Sequence, residues 1–439
     1  MLTAAAFLVA FSAGCLLAVF RHPIYGLATY VALVYLHPPS AWWGDLLPSM
    51  RWSLTAAAVT LFAVLIRQSR FTKPRLLDFG FNWGLVLFVV WMGVQMIWAL
   101  DRQLQTEFLV LCVKFVLLTA LVYKCIDSIA HLKVFLWTHA AGCFYLGTVV
   151  LAEYLGGRFS GFRGPGIDEA NAAALLIVTG VLTTFALFLS GKWIEKIVAV
   201  GFMPITLNAL VATISRSGFL ALGVAGVLFN LFAPKKIAGV VRVLSLAGLV
   251  LFLSVTNSFY WDRISSITKA GEEIEGVDTG AGRLVLIEAQ FEMFGEYPMG
   301  CGHRCTAILS PAYLEDEFLT SGEGGRARSS HNTFMSLLVE QGIPGALLYI
   351  LMLIWIARLA FRLRSRMRGS SGLLPNVYAA VVAILGAITV GDLFVDFLKF
   401  EARFWFVGLL MVLVKIEANQ EQVESQEPEH PAGQPEKAK

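Results

Sequence analysis

Charge is scarce in this chain. Only 15% of its 439 residues are Asp, Glu, Lys or Arg, against 57% hydrophobic, where a soluble domain carries about 25% charge. That shortage excludes a soluble globular protein and leaves an all-α polytopic integral membrane protein. The net charge of +3 says little by itself, and nucleic acid is not an expected partner. No small-residue cleavage site follows the first apolar stretch, Leu2 to Phe20, so it is expected to stay as the first membrane helix. Metal-ligand sets are also missing. Cys15, Cys112, Cys125 and Cys143 lie in apolar segments as small buried hydrophobes. Cys301, His303 and Cys305 offer three ligands, spaced more tightly than common zinc sites. A Cys301–Cys305 disulfide in an oxidising compartment is the stronger of those two readings, provided the bridge geometry is met. No metal and no cofactor are expected.

What is present is a succession of apolar segments near residues 2–20, 24–38, 52–66, 80–100, 106–124, 132–154, 170–190, 194–213, 216–233, 237–256, 332–358, 376–396 and 402–416. A spanning helix needs roughly 20 residues. The segments at 24–38 and 52–66 are short, and about 12 spans are expected, with 13 as the alternative. Lys and Arg cluster at Arg67, Arg70, Lys73 and Arg75, at Lys192 and Lys196, at Lys235, Lys236 and Arg242, and most densely from Arg358 to Arg368. These clusters fall at alternate helix ends and agree on one cytoplasmic side. The chain then divides into N-terminal transmembrane helices (1–155), core transmembrane helices (156–256), one large outer loop (257–331), C-terminal transmembrane helices (332–416) and a Glu/Gln/Pro-rich tail (417–439) expected to be disordered.

The outer loop is acidic on balance, so a generic basic patch does not account for its arginines. Gly282 to Tyr297 places Leu284, Ile287, Phe291 and Phe294 at helical spacing, predicting an amphipathic helix on the membrane face that Pro298 ends. A second short helix is expected near Pro311 to Phe318, and residues 321–326 read as flexible. Arg283 follows Thr279-Gly280-Ala281-Gly282, in the first turn of the amphipathic helix. The backbone N–H groups and the dipole favour an anion there, and an arginine adds a bidentate phosphate clamp. The alternative is a surface ion pair, for instance with Glu288.

Arg216, in Thr213-Ile214-Ser215-Arg216-Ser217-Gly218, interrupts a long apolar stretch at a cost of several kcal/mol unless it faces a cavity or partner. It is either a ligand-facing arginine in a tight outer hairpin or one that snorkels to the interface. Arg163, in Gly161-Phe162-Arg163-Gly164-Pro165-Gly166, is either a ligand residue or a turn arginine paired with Asp168 or Glu169. His331 follows Ser329 and Ser330, either of which can cap the next helix. In the first turn its imidazole is held neutral by the dipole and suits a general base; a hydrogen-bonded interfacial histidine is the alternative. Asp392 and Asp396 are acids near the outer side that either orient His331 or pair with Arg216.

Taken in order, His331-Asn332, Glu340, Gly342 and Gly345 after a large outer loop, with Ser215-Arg216-Ser217-Gly218 and Gly280-x-Gly282-Arg283 upstream, resemble the O-antigen ligase/polymerase (Wzy-C) superfamily over roughly residues 155–400. The first 150 or so residues resemble the extra region of ligases found in exosortase-associated loci. The resemblance implies a GT-C-like, metal-independent, inverting glycosyltransferase of the Gram-negative inner membrane, with its active site facing the periplasm. Its partners would be an undecaprenyl-diphosphate-linked glycan as donor, a lipid A–core sugar hydroxyl as acceptor, and membrane lipids. By position, Arg216 and Arg283 would hold the donor diphosphate and His331 would be the base, with Arg163, Asn332 and Asp392 in the substrate-binding set. An O-antigen polymerase or a protein O-oligosaccharyltransferase would use the same donor. A lipid-linked glycan transporter is the distant alternative, because its charges belong at the bilayer midplane rather than at one face.

Overall fold

The computed structural model describes residues 1–67, 74–154, 169–256, 261, 281–322, 325–396 and 398–426. Ten helices precede the large loop: α1 (Leu2–Phe20), α2 (Ile24–Leu36), α3 (Trp52–Ile66), α4 (Gly80–Gln95), α5 (Arg102–Cys125), α6 (Ile129–Tyr154), α7 (Ala170–Ser190), α8 (Trp193–Ala212), α9 (Arg216–Phe232) and α10 (Ala238–Val255). The loop contributes α11 (Ala281–Glu296) and α12 (Cys305–Tyr313). A short α13 (Thr333–Ser336) runs through a π turn (Leu337–Gln341) into α14 (Gly342–Gly369), followed by α15 (Leu373–Gly391) and α16 (Glu401–Gln426).

Eight of the described helices are long and apolar enough to cross a membrane, those starting at Leu2, Arg102, Ile129, Ala170, Trp193, Lys235, Thr333 and Leu373; α3, α4 and α9 are apolar but shorter. The chain is therefore a helical polytopic membrane protein. Burial sorts the bundle into layers. The apolar windows of α7 and α15 are 83% and 78% buried, whereas those of α1 and α10 are 17% and 11% buried and form the outside. Helix α16 lies deepest: Trp405, Phe406, Val407, Leu409, Leu410, Met411, Val412 and Leu413 are all fully enclosed. A helix apolar on every side belongs inside a bundle. It also runs on to Gln426, so residues 417–426 are helical where a disordered tail was expected; residues 427–439 lie outside the described residues.

One polar knot crosses this interior. Arg403 on α16 forks onto Asp392, at the end of α15, with Nη2–Oδ1 2.5 Å and Nη1–Oδ2 3.0 Å, and both side chains are buried. The Tyr349 hydroxyl of α14 donates to Asp392 Oδ2 at 2.6 Å and accepts from Arg403. Thr333, the first residue of α13, donates its backbone N–H to the Asp392 carbonyl at 2.7 Å and its hydroxyl to the Val395 carbonyl at 2.8 Å. Four elements thus meet at Asp392, and one of them, through Thr333, begins two residues from His331.

The loop docks beside this knot because the π turn leaves carbonyls pointing out of the helix. The Val339 and Glu340 carbonyls accept from the Cys301 and Gly302 N–H groups at 3.2 and 2.9 Å. Gln95 Nε2 reaches the Met299 and Glu340 carbonyls at 3.1 Å each, and Trp91 Nε1 reaches the Gln341 carbonyl at 2.8 Å. Gly342 has φ +66°, and a Cβ there would stand 2.2 Å from the Met299 carbonyl carbon. Glycine is needed at that position on both counts. Cys301 and Cys305 form a disulfide.

The loop has a small core of its own, in which Leu286, Ala289 and Met293 of α11 meet Cys301, Cys305, Leu314 and Val339. The stripe expected to be apolar divides: Leu284 and Phe291 are 51% and 56% exposed, while Phe294 packs against this core. Helix α11 therefore has two apolar faces, one used by the loop and one left outward. The second loop helix begins at Cys305, upstream of the expected Pro311 start, and only a 3-10 turn forms over Asp316–Phe318. Within the stretch expected to be flexible, Thr320–Gly322 pairs antiparallel with Gly325–Ala327.

Two outcomes follow for detergent-purified protein. Asp392→Ala leaves a buried guanidinium without its partner and should cost about 3–5 kcal/mol, read as a large drop in melting temperature, with much of it regained in Asp392→Leu/Arg403→Met. Gly342→Ala should destabilise by more than about 1 kcal/mol and speed hydrogen exchange at the Cys301 and Gly302 amides; unchanged exchange there would mean that the loop does not depend on this docking.

Candidate functional site

At the end of the bundle that carries the loop, a cavity of about 330 Å³ opens among α5, α7, the loop, the π turn and the α15–α16 connection. Its walls include Glu169 and Ala172 from the start of α7, His303 and Arg304 from the loop, Ser330 and His331, Glu340 from the π turn, and Asp396, Lys399 and Glu401. Phe115 and Phe400 supply ring surface. Carboxylates outnumber cations in this wall.

His331 is in the cavity wall and half-buried. It is not in a first helical turn. The cap is Asn332, whose Oδ1 accepts from the Phe334 and Met335 N–H groups at 2.9 and 3.1 Å, one residue after His331. The Ser330 hydroxyl folds onto the Asn332 backbone instead, at 3.1 Å from its carbonyl. The dipole argument for a neutral His331 is therefore weakened by one residue of offset. The cap below it and the Thr333–Asp392 contact beyond fix the backbone that carries this histidine.

The other expected residues divide. Asn332 spends its oxygen on the cap and its Nδ2 on the Leu393 carbonyl at 3.3 Å, so its observed role is to position His331. Asp392 is fully enclosed and committed to Arg403, Tyr349 and Thr333; it neither orients His331 nor pairs with Arg216, and no face of it is open to substrate. Arg216 is half-buried in the first turn of α9, after a tight hairpin in which Ile214 has φ +49°. Its cap residue Ser215 accepts from the Gly218 N–H at 3.1 Å and donates to Asn171 Oδ1 at 2.7 Å. That bond ties the N-termini of α7 and α9 together; Arg216 itself is not in the cavity wall, whose α7 residues are Glu169 and Ala172. The backbone of Arg283 lies in the first turn of α11, which packs against the π turn; its side chain, and the whole of Arg163, lie outside what is described.

Two wall residues, His303 and Glu340, had been given no catalytic or substrate role, and Asp396 joins them in the wall. His303 is buried and stacked on Phe108, with ring centroids 3.9 Å apart. Its Nδ1 lies 3.1 Å from Glu340 Oε2, its backbone N–H donates to Gln105 at 2.7 Å, and its Nε2 is buried without a partner. Burial pushes its pKa down against the pull of Glu340, so the ring is neutral. A carboxylate accepts, which places the proton on Nδ1 and the lone pair on Nε2. With both thiols in the disulfide, the zinc reading of Cys301, His303 and Cys305 is left with His303 alone. Asp396 is pushed up to about 7, by burial first and then by the charge of Glu340. Glu340 was visible only as a letter of the motif, and nothing at sequence level paired it with a histidine 37 residues earlier.

Among the described residues one group has metal-ligand spacing, His22, Asp127 and His131. It joins the α1–α2 and α5–α6 connections, where His131 Nδ1 and His22 Nε2 lie 2.5 and 3.2 Å from Asp127, and shares no residue with the cavity. His22 Nδ1 accepts from the Ile24 N–H at 3.2 Å, which opposes the N–H a metal-bound imidazole needs there.

No curated protein matches the chain. Residues 201–350 match the family model described as O-antigen ligase. The matched stretch contains Arg216, Arg283, the loop with its disulfide, His303, His331, the π turn and Gly342, which are the parts that build this end of the bundle. Over that region, about a third of its length, the chain is similar to the O-antigen ligase family.

Proposed function

We propose that this protein is an O-antigen ligase, moving a glycan from undecaprenyl diphosphate to a sugar hydroxyl of lipid A–core at the periplasmic face of a Gram-negative inner membrane. The observation that carries this reading is the polar cavity at the loop end of an apolar bundle, with His331 in its wall, and the half-buried Arg216 follows a Ser215 bonded to Asn171 of α7, whose neighbour Ala172 lines that wall. In this reading the acceptor hydroxyl attacks the anomeric carbon in line. His331 takes its proton, the anomeric C–O bond to the diphosphate breaks, and the configuration inverts. Arg216 and Arg283 hold the leaving diphosphate and spread its charge, the part a divalent cation plays elsewhere. Arg163 is a further basic contact to the donor.

Two features support the sidedness. The arginine cluster from Arg358 to Arg368 closes α14 at the end away from His331, in keeping with the positive-inside rule. The Cys301–Cys305 disulfide suits an oxidising compartment on the loop side. The reading of about 12 spans in a GT-C-like bundle takes the buried α16 together with the eight long and three shorter apolar helices, with α2 as the thirteenth candidate.

The test is transfer by purified protein with undecaprenyl-diphosphate glycan and lipid A–core, products resolved on a gel. Wild type should give core-linked product, and His331→Ala should lower kcat by about 10²–10⁴-fold, the range of a lost general base, with donor binding retained; an equal fall in donor binding would remove the base assignment. Arg216→Lys should weaken donor use severely, since Lys lacks the bidentate fork. EDTA should leave the rate unchanged, and rescue by a divalent cation would overturn the arginine-only account. Lengthened donor in place of core-linked product would make the protein a polymerase, and glycan on an added peptide a protein glycosyltransferase.

A further inference from the structure

Within the proposed transfer, the cavity and the arginines have opposite chemical preferences. The wall holds Glu169, Glu340, Asp396 and Glu401 against Arg304 and Lys399. A diphosphate gains nothing from that balance. Sugar hydroxyls do, because carboxylates accept their hydrogen bonds, and the rings of Phe115 and Phe400 can cover the apolar C–H face of a pyranose. The volume of about 330 Å³ lies at the low end of small-molecule sites, roughly 300–1,000 Å³, and suits a single sugar unit rather than a long glycan.

Acidic groups alone would not define a site, but His303 adds an independent observation. It is 3% exposed, with Glu340 equally enclosed at 3%. Its Nδ1 is occupied by Glu340, its ring is clamped on Phe108, and its main chain is held by Gln105 and by the docked Cys301–Gly302 strand. A ring fixed so thoroughly still leaves Nε2 without a partner. An unsatisfied buried acceptor is destabilising, a cost removed when a ligand donor arrives. We infer that this cavity is the subsite for the acceptor's sugar, with His303 Nε2 accepting a hydrogen bond from one of its hydroxyls, while the donor diphosphate lies outside against Arg216 and Arg283.

This assigns a residue of acceptor recognition separate from the base. Glu340 positions it by setting the tautomer, and the π turn exists at this point to present Glu340 and its carbonyls to the loop together. Acceptors lacking the recognised hydroxyl would be rejected because Nε2 then stays unpaired.

The experiment is steady-state transfer from undecaprenyl-diphosphate glycan to lipid A–core, varying each substrate separately, for wild type and His303→Asn. The asparagine amide nitrogen can still donate to Glu340 in place of Nδ1–H, but Nε2 is gone. The expected result is an acceptor KM raised at least ten-fold, with donor KM within two-fold of wild type and kcat at saturating acceptor largely kept. A parallel rise in donor KM, a loss confined to kcat, or no change in acceptor KM would each overturn the assignment. Should His303→Asn not fold, Ala307→Leu fills the cavity from its wall without altering a charge, and must show the same split. Absence of transfer by wild type itself would instead remove the ligase reading on which this inference rests.

Discussion

The salt bridge between Arg403 and Asp392 is the constraint around which the functional end of this bundle is arranged. Two charges are held among helices otherwise apolar, at a depth where neither is tolerable alone. Their bidentate geometry, the Tyr349 hydroxyl and the Thr333 contacts satisfy the carboxylate. The consequence is positional. Helices α14, α15 and α16 are locked in register at one carboxylate, and the chain that leaves it through Thr333 and Asn332 can present His331 only to the space beside it.

A second device seats the loop on that fixed point. A π turn offers surplus carbonyls, and the Met299–Gly302 strand, Gln95 and Trp91 take them. Glycines stand where the two backbones touch, at Gly300 and Gly342. Seen this way, the Glu340–Gly342 portion of the family pattern is a docking joint. Its side chain Glu340 then reaches His303, so the joint that holds the loop also sets the chemistry of the cavity wall. Structure and site are not separable here, because the same five residues of π turn do both.

Much of this was legible in the residues. The membrane class, the alternating apolar segments, the position of the outer loop, the helix over Ala281–Glu296 ended by Pro298 and the hairpin at Arg216 all follow from composition and periodicity. His331 does line a cavity wall. Asn332 and Asp392 were given to substrate and turn out to be held by the cap and by Arg403, because a lone polar residue in an apolar run looks the same whether it meets a ligand or a buried partner. Arg403 itself drew no notice, being one cation near a helix end. The continuation of α16 to Gln426 was obscured by a composition poor in apolar residues, which reads as disorder when the preceding helix is not known to anchor it.

Composition and order, then, determined by themselves that the chain lives in a membrane, where its polar loop falls, and which family its motifs resemble, since each of these depends on local hydrophobicity or on spacing along the chain. Only the tertiary structure decided that Asp392 belongs to Arg403 rather than to Arg216, that His303 is paired with Glu340, and that the thiols beside it are joined to each other. The first two are contacts between residues 11 and 37 positions apart, chosen among several equally polar candidates by which helices pack, and no periodicity along one segment carries that information; the disulfide spans only four positions, and there the structure chose between two readings already open.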